Sequence, residues 1–214
     1  MGSNKLFSFS RKFFFEVISP KFQIDASKSI MNTLYVYFEK FSIHFKILYE
    51  NYLLLYDELI SKEIKLADIC SKDKVLVIGS GSLPATCILI ARKTNAKVHG
   101  IDIDQSAIKK SSAFIKQIGL EGLIDFELAD GVIYDYSSYD VIFALYGINK
   151  HRNLLVNMSN KMSKDSRVIY RSTEDIKENI SDYDETLSDY FKVKDSFKSD
   201  VIYLNRSYLL TKKV

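Results

Sequence analysis

Gly79-Ser-Gly81 follows the apolar run Val75-Leu-Val-Ile78 and leads into a helical pattern from Ala85 to Arg92. A glycine pair at the end of a strand lets the backbone turn sharply and approach a ligand closely, and the helix start beyond it supplies unpaired N–H groups. Ser82 is suited to cap that helix and Pro84 to its first turn. Asp102 stands 23 residues after Gly79, at the end of a second apolar run in Gly100-Ile-Asp-Ile-Asp104. A carboxylate there can accept hydrogen bonds from both hydroxyls of a ribose. Asp104 is expected to cap the helix that follows. Asp130, in Leu128-Ala-Asp-Gly131 after a third run, can accept from the amino group of an adenine. Three strand ends converge on one nucleoside. The dinucleotide fingerprint would put a third glycine at 84 to seat a pyrophosphate, and Pro84 stands there, which disfavours NAD. The expected cofactor contacts are Gly79, Ser80, Gly81, Leu83, Pro84, Asp102, Ile103, Asp130 and Gly131.

The elements that carry these residues follow from the patterning. From Lys74 onward, short apolar runs at Val75 to Gly79, Val98 to Ile103, Asp125 to Leu128, Val141 to Leu145 and Arg167 to Tyr170 predict buried parallel strands. Between them lie Leu83 to Thr94, Ala107 to Gly119 and Leu154 to Met162, each long enough for a crossover helix. Such alternation implies a doubly wound α/β sheet. Two further runs, Tyr190 to Val193 and Val201 to Leu210, suit an antiparallel end to it. The region before the sheet differs. Between Pro20 and Gly79 there is no Gly or Pro, and Ile30, Leu34, Phe38, Phe41, Phe45, Tyr49, Tyr52 and Tyr56 recur at spacings of 3 and 4. This is a helical stripe, broken at Asp25-Ala-Ser27 and again at Ser42 to Lys46, and it predicts about three helices. Residues 1–70 hold 14 of the 28 aromatic residues, too many to leave in water. The expected organisation is an N-terminal helical cap, residues 1–70, and a Rossmann-like domain, residues 71–214.

Composition sets the outer bounds. The 214 residues are 47% apolar and 27% charged, with 8 Gly and 2 Pro, which excludes collagen-like and disordered chains. A net charge of +3 without a Lys/Arg cluster makes no case for nucleic acid. No apolar run approaches the roughly 18 residues of a membrane span, and no signal-peptide core or myristoylation pattern opens the sequence. Cys70 and Cys87 match no C-x-x-C pattern, so a reducing cytoplasm is expected and Cys87 reads as a core residue. His44, His99 and His151 fall on separate elements, and no metal is expected.

Gly-x-Gly, Asp-Ile-Asp and Asp-Gly at these strand ends, with the hairpin-like finish, resemble the class I S-adenosylmethionine-dependent methyltransferase fold over Lys74 to Val214. Three local motifs are more specific. Gly79-Ser-Gly-Ser-Leu-Pro84-Ala-Thr86 resembles the Gly-Ser-Gly-Pro-Leu-Pro-x-Thr loop of nicotianamine synthases. Tyr49-Glu-Asn51-Tyr52-Leu-Leu-Leu55 is similar to that family's Phe-Pro-Tyr-Tyr-x-Asn-Tyr-Leu-x-Leu segment. Met158-Ser-Asn-Lys161-Met162, followed by Tyr170-Arg171-Ser172, is similar to its Lys-x-Met helix and its fifth-strand Arg-Ser.

The resemblance implies a transferase that moves the 3-amino-3-carboxypropyl group of S-adenosylmethionine to an amine of a small molecule or amino acid. It places Tyr49 and Glu50 as the catalytic candidates beside that amine, and it implies metallophore biosynthesis in the cytoplasm. A homodimer is a further expectation. The sequence departs from the family where Lys46-Ile47-Leu48 replaces Phe-Pro-Tyr and where Thr173-Glu174-Asp175 replaces Ala-His-Gly. The upstream acidic cluster has only Glu39 and Glu50 as counterparts. A small-molecule methyltransferase, or a protein that binds the cofactor without catalysis, shares the same fold signals. Tyr49, Tyr52 and Tyr56 fall at helical spacing and also read as core, which leaves Tyr49 with two readings, and Arg171 reads as a structural ion-pair partner.

Overall fold

The computed structural model describes residues 42–145, 151–172, 185–198 and 206–213. Phe13 to Phe15, the Ile30 to Phe41 part of the stripe, the break at Asp25-Ala-Ser27 and Glu39 lie outside the described residues. The chain divides into two compact units, Met1–Asp57 and Glu58–Val214. The boundary between the units falls between Asp57 and Glu58, inside the segment 1–70 expected as a cap.

Helix α1, Ser42–Leu66, is one uninterrupted element of 25 residues, so the break expected at Ser42 to Lys46 is absent. Its sequence holds no Gly or Pro and is rich in Leu, Lys and Glu, which favour helix. Within the first unit Tyr49 and Leu53 are buried, and the rings of Tyr52 and Tyr56 lie 5.2 Å apart, one turn from each other. The helix stops where Asp68 takes a left-handed φ of 49°. Arg167 closes that end by donating from Nη1 to the carbonyls of Ala67 and Asp68, at 2.5 and 2.8 Å, while its Nη2 pairs with Asp73 at 2.5 Å.

The second unit continues through β1 (Lys74–Ile78), α2 (Ala85–Thr94), β2 (Lys97–Asp102), α3 (Gln105–Gln117), β3 (Ile124–Leu128), β4 (Val141–Ala144), α4 (His151–Lys161), β5 (Arg167–Ser172), α5 (Glu185–Tyr190), β6 (Phe191–Lys198) and β7 (Arg206–Lys212). The seven strands form one sheet in the order β3-β2-β1-β4-β5-β7-β6. The first five are parallel, and β7 runs antiparallel to both β5 and β6. This is the mostly parallel sheet with an antiparallel C-terminal strand that the patterning predicted. The order reverses between β1 and β4, which opens the crevice where such sheets take ligands.

β4 is buried throughout and β1 from its second residue on. On one face Leu76, Ile78, Ile101, Ile142 and Ala144 pack with Leu154, Leu155 and Met158 of α4. Cys87 is fully buried in α2, and burial pushes its thiol well above the usual range, so it is a core residue as expected.

Four expectations change. β3 is an edge strand with Asp125, Glu127 and Leu128 exposed, because no strand covers its far side. α2 begins at Ala85 with Pro84 at its N-cap and no side-chain cap, so Ser82 does not cap it. α3 begins two residues earlier than expected, where Asp104 accepts from Ser106 N at 2.8 Å in the capping role foreseen. The short helix α5 takes Tyr190 and was not visible as a separate element. Among the described residues no helix is long and apolar enough to cross a membrane.

Candidate functional site

The ends of β1, β2 and β3 are tied together by backbone and carboxylate. Gly79 and Gly81 adopt left-handed φ values of 76° and 69°, which a side chain would strain. The turn they make aims the N–H groups of Gly79 and Ser80 at the carbonyl of Ile101, at 2.8 and 3.0 Å. Gly81 N donates to Asp102 Oδ2 at 2.9 Å, and Asp104 N donates to Asp102 Oδ1 at 3.0 Å. The Asp102 carbonyl in turn accepts from Ala129 N at 3.0 Å, which brings the β3 end alongside. Beyond it Asp130 is exposed, its Oδ1 held by Val132 N at 2.9 Å. Two oriented carboxylates and a bare glycine turn thus share one edge of the sheet. Each carboxylate oxygen has more than one acceptor site, so the backbone donors leave capacity for a ligand.

This acceptor set fits a nucleoside. A Cβ on Gly79 would meet nothing within 4 Å, so the turn leaves open space in front of it. The Ser80 hydroxyl is buried without a hydrogen-bond partner among the described atoms. Ribose hydroxyls and an exocyclic amine are donors, the complement of Asp102 and Asp130. Of the remaining expected contacts, Leu83 and Pro84 are buried, Ile103 is 69% exposed, and Gly131 is a packing residue. A Cβ at Gly131 would stand 2.8 Å from Ile78 Cγ2 and 3.1 Å from Leu154 Cδ1. Gly100 is constrained in the same way, since the Phe126 ring would lie 2.5 Å from its Cβ and the Ser80 Cβ 3.0 Å away. Tyr49 and Glu50 belong to the first unit, where Tyr49 is buried and Glu50 half-buried.

Two polar clusters were not anticipated. In the first, His99 on β2 meets Asp125 at 2.6 Å through Nδ1 and Glu127 at 3.2 Å through Nε2. Tyr134 and Tyr139 stack on the imidazole with centroids 6.4 and 6.0 Å away, and Tyr134 donates to Glu127 at 2.9 Å. Register pairs His99 with Asp125 and puts Glu127 two residues on, so all three share a face. The signal was the Asp-x-Glu alternation in β3.

Burial alone would lower the His99 pKa, but the hydrogen bonds and charges of Asp125 and Glu127 outweigh it and hold it above the ordinary 6.5. A raised folded-state value means that the imidazolium stabilises the fold. Its contribution is fully present below pH 6.5 and is lost as pH rises through the folded-state pKa. Urea unfolding of wild type and His99→Gln should therefore differ most near about pH 5.5, and the gap should narrow as pH rises through the folded-state pKa. A gap that widens as pH rises would contradict this assignment.

The second cluster is fully buried. Glu63 on α1, 0% exposed, accepts from Arg171 Nε at 2.8 Å and Nη2 at 2.6 Å, and from Ser207 Oγ at 2.7 Å. Arg171 Nη1 also reaches Thr86 Oγ1 at 3.4 Å, so α1, α2, β5 and β7 meet at one ion pair. Arg171 is the structural partner expected of it. Glu63 was overlooked, although it follows the buried Leu59 and Ile60 at spacings of 4 and 3, where an apolar residue would be usual.

Comparison with known proteins adds to this geometry. The model of the nicotianamine synthase protein family matches residues 35–206. An L-histidine 2-aminobutanoyltransferase of Yersinia pestis is 34% identical over 77 residues, which are 36% of this chain and 29% of that protein. The chain thus spans less than a third of that relative's length. The crystal structure of MtNAS in complex with MTA and tNA superposes with a TM-score of 0.68 at 21% identity, over 79% of this chain and 65% of that one. An RNA methyltransferase from Salinibacter ruber, in complex with S-adenosyl-L-homocysteine, gives a TM-score of 0.55 at 20% identity over 72% and 90%. At such identities these likenesses establish the fold, a Rossmann-like class I methyltransferase sheet.

Proposed function

This chain belongs to the nicotianamine synthase family, and from that premise we propose that it moves the 3-amino-3-carboxypropyl group of S-adenosylmethionine to an amine of a small molecule, leaving methylthioadenosine. The carrying observation is the extent of the family match. Residues 35–206 take in the Tyr49-x-Asn51-Tyr52 helix and the Arg171-Ser172 strand as well as the glycine turn that any such sheet needs.

S-adenosylmethionine brings three electrophilic carbons on one sulfonium, so the task left to the protein is positioning. Asp102 would take the ribose hydroxyls, Asp130 the adenine amine, and the backbone of Gly79 to Gly81 the close approach. Tyr49, with Glu50 beside it, would orient the acceptor nitrogen or take its proton. The name of the Yersinia pestis relative supports an amino-acid acceptor, which makes L-histidine the first compound to try. We extend the proposal to a helical cap formed by residues 1–70, to a homodimer working in the cytoplasm, and to metallophore biosynthesis. The modest net charge of +3 supports a small-molecule partner over nucleic acid.

Mass spectrometry of the nucleoside released from S-adenosylmethionine tests the proposal. Methylthioadenosine is the expected product with an amine acceptor. Release of S-adenosylhomocysteine alone, with every amine, thiol and hydroxyl acceptor tried, would replace the proposal with methyl transfer. Binding without either product would leave a cofactor-binding protein.

A further inference from the structure

The stretch that follows Asp130 is held from both sides. Asp130 fixes its own turn through Val132 N, and three residues later the backbone is gripped by α4. Lys161 Nζ donates to the carbonyls of Ile133, at 3.0 Å, and of Tyr134, at 3.3 Å. Asn157 Nδ2 donates to the same Tyr134 carbonyl at 2.9 Å. Within the stretch the Tyr136 hydroxyl donates to the carbonyl of Gly131, and the Tyr134 hydroxyl donates to Glu127 on β3. The space beneath is closed, since Gly131 is packed against Ile78 and Leu154.

We infer that Lys161, with Asn157, is a positioning residue for nucleobase recognition, fixing the backbone that aims the Asp130 carboxylate. The inference rests on the reading of Asp130 as the adenine acceptor. Asp130 itself is exposed, with one oxygen on its own turn, so its direction depends on how the following residues are anchored. Lys161 supplies two of the three side-chain donors that α4 gives to this backbone, and its ammonium strengthens both. A hydrogen bond to a carbonyl four positions from the ligand group does not touch ligand, yet a shift of well under 1 Å in a carboxylate alters a charge-assisted bond.

The distinction from mere loop stabilisation is readable in ligand choice. Adenine presents an amino group to Asp130, whereas hypoxanthine presents a carbonyl, an acceptor facing an acceptor. Calorimetric binding of 5′-methylthioadenosine and 5′-methylthioinosine to the full chain should favour the adenine ligand by at least about tenfold in wild type. In Lys161→Met, which keeps most of the aliphatic stem, that preference should shrink by roughly three- to tenfold, and Lys161→Arg should restore it. A purely structural role would weaken both ligands alike and leave the ratio unchanged, and that result in a cooperatively folded Lys161→Met overturns the inference. Should Lys161→Met fail to fold, Asn157→Ala carries the same expectation and the same overturning result. A wild-type protein that binds neither ligand, or both equally, overturns the reading of Asp130 itself and the inference with it.

Discussion

Asp102→Ala should weaken S-adenosylmethionine binding by at least about tenfold and by up to about ten-thousandfold. One or two charge-assisted hydrogen bonds to ribose are lost, each worth on the order of 1.5 to 3 kcal/mol, and every 1.4 kcal/mol is about tenfold in affinity. The protein loses more than a ligand contact. Asp102 also receives the N–H groups of Gly81 and Asp104, so its removal frees the glycine turn and the start of α3 together. Asp102→Asn is the milder change, because the amide oxygen still accepts from one of these two N–H groups while the charge is gone. It should bind more weakly than wild type and more tightly than Asp102→Ala. Calorimetry on variants with unchanged thermal unfolding makes the measurement, and an Asp102→Ala protein of wild-type affinity would sink the ribose assignment.

Glu63→Ala should destabilise the sheet unit by about 3 to 5 kcal/mol, the usual cost of stranding one member of a buried ion pair. The Arg171 guanidinium, 6% exposed, would lose both of its hydrogen bonds to Glu63, and Ser207 would lose this acceptor. Glu63→Gln should cost less, since a neutral acceptor remains for the guanidinium. The double variant Glu63→Leu, Arg171→Met removes both charges and should recover much of the loss, because apolar replacements of a buried pair are often neutral or better. Urea unfolding of the four proteins reads this cycle. A loss below about 1 kcal/mol in Glu63→Ala would mean that water reaches Arg171.

The sheet was legible because its signals are local. Val75 to Ile78 and Val141 to Ala144 are continuous apolar runs, as strands covered on both faces must be, and Asp104 stands where a helix cap is needed. β3 was harder, since Ile124-Asp-Phe-Glu-Leu128 alternates and its exposure follows from lying at the edge, a matter of strand order rather than of composition. The positions of the glycine turn and of the two aspartates could be read because each follows an apolar run. What sequence could not give were the pairings across long separations. Glu63 lies 108 residues from Arg171, and His99 lies 26 and 28 residues from its two carboxylates. Nothing local distinguishes such a Glu or His from one that faces water, although Glu63 interrupts an apolar stripe. Gly100 is a similar case: its identity is fixed by the Phe126 ring on the neighbouring strand, a contact that only the register reveals.

The strand order also has a bearing on how the molecule comes into being. β1, β2 and β3 add to one another in chain order, so every expected nucleoside contact falls within one contiguous stretch, Lys74–Gly131, whose paired residues lie 23 and 26 positions apart, against 66 for β1 and β4. The other half must wait for β4 to return to β1 and for β7 to enter between β5 and β6. Such long-range closures are slow, because chain entropy is spent before the contacts repay it. During synthesis β1, β2 and β3 therefore have their pairing partners at hand early. The buried Glu63 has to wait longer: it finds the hydrogen-bond donor Ser207 only when β7 arrives, 144 residues further along the chain.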